Sequence, residues 1–116
     1  MKILYISGDP GIPAFGRKGA STHIREMIAA FRQLGHEVVL AAADLSGDRR
    51  ADEDFPTVAL PRPRAKILGF DGRHLLADFL ARGTLRRAVR EHRPDAIYER
   101  LALHFTAGDA TARLNK

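Results

Sequence analysis

Residues 7–27, SGDPGIPAFGRKGASTHIREM, decide how this chain is read. They carry four glycines, Gly8, Gly11, Gly16 and Gly19, spaced three, five and three apart. Before them, KILYIS (2–7) is a short apolar run of strand length. Such a run, bounded by glycine and proline, predicts a buried strand. After the loop, Ile24, Met27, Ile28, Phe31 and Leu34 recur at the spacing of one helix face, which predicts a helix over 22–34. Ser21 or Thr22 is placed to cap it, and Gly35 follows its last turn, where a left-handed residue is wanted. HEVVLAAA (36–43) then reads as a second strand. The order is strand, glycine loop, helix, strand.

The same alternation continues. The polar stretch DLSGDRRADEDFP (44–56) reads as a surface loop, and TVALP (57–61) as a short third strand. Pro61 and Pro63 force an extended connection. Residues 73–93 read as a helix, with Leu75, Leu76, Phe79 and Leu80 on one face. Gly83 interrupts that pattern, and Leu85, Ala88 and Val89 resume it. Pro94 stops the helix, DAIYE (95–99) is a fourth strand, and LHFTAGDATARL (103–114) is a weaker helix. There are no internal repeats.

Strands alternating with helices predict an α/β fold: a parallel, Rossmann-like sheet with helices on both faces. Right-handed crossovers give the strand order 3-2-1-4. Ligands of such sheets bind beyond the carboxyl ends of the strands, where the order reverses, here between strands 1 and 4. The glycine loop after strand 1 and the Tyr98-Glu99-Arg100 segment at the end of strand 4 both arrive there. Strand 4 is left as an apolar edge, which natural proteins normally cover. The expectation is one domain over 1–116, and an incomplete one.

At 116 residues the chain suits a single domain. Its composition, 45% apolar and 28% charged, is that of a folded soluble protein. It has no cysteine, so neither a disulfide framework nor a thiolate metal site is available. The amino terminus has too short an apolar stretch for a signal peptide, and the chain reads as cytoplasmic. The net charge is +5. Much of the excess lies in Arg62 and Arg64 and in Arg82, Arg86, Arg87, Arg90 and Arg93. An arginine-rich helix face is either simply solvated or attracts an anionic surface, such as the inner face of a membrane. Stacking aromatics are absent from it, which argues against a nucleic-acid platform.

Three phosphate-loop patterns compete for the glycine loop. GIPAFGRK (11–18) comes near G-x-x-x-x-G-K-[ST], but Lys18 stands where a hydroxyl must hold magnesium, and an ammonium cannot ligate a cation. The dinucleotide pattern G-x-G-x-x-G fails on the glycine spacing, although Asp44 after strand 2 could mimic its ribose-binding acid. The third pattern is a longer loop whose end, Gly19-Ala20-Ser21, runs directly into the helix. Backbone amides at a helix N-terminus, aided by the helix dipole, bind anions. Glycine there lets a diphosphate approach the backbone, and His23 lies in the first turn. The plainer account is that the glycines serve only turns and Ser21 only caps the helix. Asp9-Pro10-Gly11 reads as a turn, and His36 and His92 flank helix ends as structural residues.

These residues resemble a family. KGASTHIREM and LGHEVVLAAA look like the opening of family 4 glycosyltransferases, and PDAIYERLALHFTAGDATAR looks like a later segment of the same enzymes. The resemblance covers nearly the whole chain. It implies a partial GT-B N-terminal, acceptor-side domain of a retaining, nucleotide-sugar-dependent, metal-independent transferase. Lys18 departs from the glycine that many members carry there. By the resemblance, Gly16, Lys18, Gly19 and Ala20 line the donor diphosphate, and His23, Glu99 and Arg100 border the reacting groups. No cofactor is implied beyond the nucleotide-sugar co-substrate. The implied partners are that donor, a glycan, lipid or small-molecule acceptor, and a C-terminal domain that carries the main nucleotide grip. The competing expectation is a stand-alone flavodoxin-like or Rossmann-like interaction module without catalysis.

Overall fold

In the computed structural model, residues 1–9, 11–17, 19–61 and 69–100 are described, with backbone alone for 69–79. Four strands, β1 (Lys2–Ser7), β2 (Glu37–Ala42), β3 (Thr57–Ala59) and β4 (Ala96–Arg100), form one sheet in the order β3-β2-β1-β4. All neighbouring pairs are parallel. Two helices, α1 (Gly19–Gln33) and α2 (Gly69–His92), connect them. The expected α/β fold and strand order hold. The 103–114 helix lies outside the described residues.

Side-chain alternation along β1 and β2 divides the core in two. Tyr5, Val38, Leu40 and Ala42 pack with Ile24 and Ile28 of α1. Leu4, Ile6, Val39 and Ala41 pack with Ala81 and Leu85 of α2 on the opposite face. Each central strand is buried on both sides, which explains why both read as continuous apolar runs rather than alternating ones.

Boundaries shift for identifiable reasons. α1 begins at Gly19, three residues earlier than its apolar period indicates, because its first turn, Gly19-Ala20-Ser21, carries no large side chain. It ends in a Schellman motif: the His36 amide reaches the Phe31 carbonyl at 3.1 Å, and the Gly35 amide reaches Arg32 at 3.0 Å. Gly35 has the expected positive φ of 89°. Leu34 therefore leaves the buried face and is 74% exposed. α2 runs unbroken through Gly83, where an added side chain would meet nothing within 4 Å. Leu80, expected on its inner face, is exposed and Ala81 takes its place, while Leu85 and Ala88 lie on that face as expected. Arg93 closes the helix at φ 48°, just before Pro94. Asp95 precedes β4 rather than joining it, and its carboxylate accepts the Lys2 amide at 2.8 Å.

Candidate functional site

The glycine loop leaves the carboxyl end of β1, the central strand beside the switch point. Its first half is a turn. The Asp9 carboxylate accepts the Gly11 amide at 2.8 Å, so Asp9 serves local geometry, as the Asp-Pro-Gly triplet indicates. Its second half folds back against the segment that follows β2. The Ala14 amide donates to the Asp44 carbonyl at 2.9 Å, and the Phe15 amide to Ser46 at 3.1 Å. The Asp48 amide returns a bond to the Phe15 carbonyl at 3.0 Å. Phe15 and Gly47 thus form an isolated parallel bridge. Gly47 sits at φ 115°, and a Cβ there would lie 2.0 Å from the Phe15 carbonyl oxygen. Asp44 receives the Ser46 amide at 2.9 Å, so part of its carboxylate is spent on that turn.

Two side chains of α1, one helical turn apart, hold this half of the loop. Ser21 is buried and donates its hydroxyl to the Pro13 carbonyl. It therefore ties the loop back rather than capping the helix. Arg25 spreads its guanidinium over five acceptors. Nη1 reaches the Phe15 carbonyl at 3.2 Å and the Gly16 carbonyl at 3.0 Å. Nη2 reaches the Asp48 carbonyl at 2.7 Å and Glu53 Oε1 at 2.5 Å, and Nε reaches Glu53 Oε2 at 3.0 Å. The pair is bidentate and nearly buried. The Arg25 hydrogen bond holds the Glu53 carboxyl below its ordinary range, against the opposing effect of burial. Around it, Phe15 stacks on Phe55 at 6.1 Å, and Arg49 lies over both rings. Along the outer flank of α1 runs a groove of about 600 Å³, lined by Arg25, Glu26, Arg32, Arg50, Glu53 and Phe55.

The expected site residues fall into distinct places. Gly16 is packed: a Cβ there would come 2.8 Å from Pro13 Cγ and 2.9 Å from Ser21 Oγ. Gly19 opens α1 and faces open space, with nothing within 4 Å of an added Cβ. Ala20 follows it, half-buried, and His23 is exposed on the first turn. Lys18 lies outside the described residues. Glu99 and Arg100 emerge on opposite faces of the sheet. The parallel register aligns Glu99 with Ile6, on the α2 side, and Arg100 with Ser7, on the α1 side. Arg100 shares the α1 side with Tyr98 and Tyr5, whose rings stack at 4.9 Å. Burial pushes the Tyr5 phenol up, Tyr98 adds to that, and Arg100 opposes it. Among the described residues, the buried Tyr5 and Ser7 hydroxyls find no hydrogen-bond partner of good geometry. Among the described residues, no three of His, Asp and Glu are placed to hold a metal ion, and no helix is long and apolar enough to cross a membrane.

Arg25, Glu53 and Gly47 did not stand out in the sequence. Arg25 interrupts an apolar helix face one turn after Ser21, which is the signal that was available. Glu53 is hidden among Asp52 and Asp54, and Gly47 in a polar loop.

Comparison with known proteins agrees with this fold. The structure resembles the crystal structure of SsfS6, a glycosyltransferase from Streptomyces sp. SF2575, with a TM-score of 0.62 and 18% identity. The match covers 99% of this chain and 37% of that one, so the chain spans well under half the length of its structural relative. No curated protein matches the sequence. The family model for the glycosyl transferase 4-like domain matches residues 18–115, and the chain belongs to that family.

Proposed function

We propose that this chain is the acceptor-side portion of a retaining glycosyltransferase that takes its sugar from a nucleotide-sugar donor without a metal ion. The observation that carries the reading is the open α1 N-terminus at Gly19, placed beyond the carboxyl end of the central strand, in a chain of this family. Amides at that point and the positive end of the α1 dipole suit a diphosphate. In transfer, the same amides stabilise the charge that develops on the departing diphosphate. Arg100 approaches the crevice from the α1 side and suits a phosphate or carboxylate of the acceptor. Glu99 approaches from the α2 side and suits an acceptor hydroxyl. His23, exposed on the first turn of α1, borders the same mouth.

The second domain of such an enzyme would supply the main nucleotide grip. α2 buries Ala81, Leu85 and Ala88 and exposes Arg86, Arg87 and Arg90, with Arg93 exposed just past its end. That outward face suits the anionic surface of a membrane, where a lipid-linked acceptor would lie.

The test is a thermal-shift titration with UDP-, GDP- and ADP-sugars, with NAD as a control. The expected result is a concentration-dependent rise in melting temperature with one nucleotide sugar, abolished by Gly19→Val. Because none of the described residues crowds Gly19, valine would obstruct the ligand rather than the fold. A shift with NAD alone would overturn the reading.

A further inference from the structure

The sequence treats 44–56 as a connector. The structure gives it a second role, as one jaw of a clamp on the glycine loop. The other jaw is α1 itself. Between them, residues 13–16 have nearly every backbone polar group engaged by a named partner. Ala14 and Phe15 donate to Asp44 and Ser46, and Gly16 donates to Pro13 at 3.2 Å. Pro13, Phe15 and Gly16 offer carbonyls to Ser21 and Arg25.

Among the described residues, Arg25 is the one side chain of α1 that bonds both the loop and the 44–56 segment. It starts from α1, reaches the Phe15 and Gly16 carbonyls, and ends on the Asp48 carbonyl and the Glu53 carboxylate. Glu53 is itself oriented, because its carboxylate also accepts the Arg50 amide at 2.9 Å. Gly16 is three residues from Gly19. A guanidinium fixed at both Nη atoms and at Nε therefore sets where the chain turns into the helix.

We infer that Arg25, oriented by Glu53, is a positioning residue for nucleoside diphosphate binding: it holds residues 13–16 so that the amides opening α1 are presented ready-made. The inference rests on the reading of the loop as a diphosphate site. Arg25 touches no ligand in this account and acts through the loop. A preorganised loop spares the ligand the cost of ordering it, which is how a residue remote from a ligand changes affinity. A lysine could pair with Glu53, but it lacks the planar fork needed to span five acceptors. Arg25→Lys should thus separate holding the fold from positioning the loop.

The experiment compares the wild-type chain with Arg25→Lys and Gly19→Val. Calorimetric titration with UDP, GDP and ADP is paired with melting temperature and amide exchange at Ala14, Phe15 and Gly16. The wild type should bind one diphosphate, and Gly19→Val should not. Arg25→Lys should keep most of the melting temperature, lose protection at 14–16, and bind about tenfold more weakly or worse. Wild-type affinity in Arg25→Lys overturns the proposal, as does an affinity loss that only tracks the fall in melting temperature, with 14–16 still protected. If Arg25→Lys does not fold, Glu53→Gln takes its place. It keeps the three carbonyl bonds of Arg25 and removes its anchor; because it melts lower, titration and exchange are run below its melting transition, and affinity and protection at 14–16 are the criteria. Failure of the loop reading looks different: the wild type binds no diphosphate, or Gly19→Val binds as well as wild type. Either result brings the proposal down with that reading.

Discussion

Gly47→Ala tests the bridge between the glycine loop and the segment after β2. Gly47 has a φ of 115°, outside the region that side chains tolerate, and holding alanine there costs on the order of 1–3 kcal/mol. The space is also taken: the new Cβ would sit 2.0 Å from the Phe15 oxygen and 2.2 Å from its carbonyl carbon. Backbone must move, and the Phe15 carbonyl cannot move without loosening its bonds from the Asp48 amide and Arg25. Two such bonds are worth about 1 kcal/mol each. The sum is about 3–5 kcal/mol, a large part of the roughly 5–15 kcal/mol that holds a domain together. For a chain of this length it corresponds to a fall in melting temperature of about 12–20 °C.

Melting is followed by differential scanning calorimetry, and two other glycines serve as controls in that assay. Gly35 also has a positive φ, 89°, but open space around it, so Gly35→Ala should cost only the left-handed penalty of about 1–2 kcal/mol. Gly19 has neither constraint, and alanine there should be neutral or stabilise α1 by up to about 1 kcal/mol. The ranking matters more than any single value. A Gly47→Ala protein that melts within a degree or two of wild type, or above Gly35→Ala, would refute the bridge.

Glu53→Gln should destabilise by about 3–5 kcal/mol in urea unfolding at neutral pH, because it leaves the Arg25 charge buried without its partner. The Glu53 pKa is lower in the folded chain than in the unfolded one. Its contribution is therefore complete above the ordinary glutamate range near pH ~4.3 and fades as pH falls through the lowered folded value. A urea series from neutral to acid pH should show that loss in wild type and a flatter slope in Glu53→Gln. Tyr5→Phe removes a buried hydroxyl without a good hydrogen bond, and should raise stability by up to about 1 kcal/mol; a clear loss would mean the hydroxyl has a partner. Ile28→Ala, buried between α1 and the sheet, should cost about 2–5 kcal/mol by the same unfolding measurement.

Much of the fold was legible because its signals are local. The apolar runs at 2–7 and 36–43, the helix period from Ile24 to Phe31, and Gly35 after it lie within a few residues of what they determine. Handedness of crossovers then converts element order into strand order. The clamp was not legible, for the opposite reason. Arg25 meets Glu53 28 positions along the chain, across a loop whose path no period or composition describes. Gly47 was invisible in the same way, since its constraint is the Phe15 carbonyl and not its own neighbours. Leu80 was misplaced because helix phase accumulates error along a long helix with mixed faces, and Ala81, one position on, took the inward place.

Glu99 and Arg100 show where sequence reasoning stopped one step short. By sequence both fall at the end of strand 4, beside the switch point. Yet consecutive strand residues point to opposite faces, by the same alternation that divides the core. Once strand 4 is a strand, its two terminal charges cannot share a face. With Arg100 aligned to Ser7 and Glu99 to Ile6, only Arg100 stands on the side of α1 and the clamped loop. In the proposed reading the two therefore divide the crevice between them, the cation on the α1 side of the sheet and the carboxylate on the α2 side. A ligand that uses both must straddle the end of β4. Under the proposed acceptor-side reading, such a ligand would carry an anionic group on one side and a hydroxyl on the other, a geometric demand that composition and spacing do not contain.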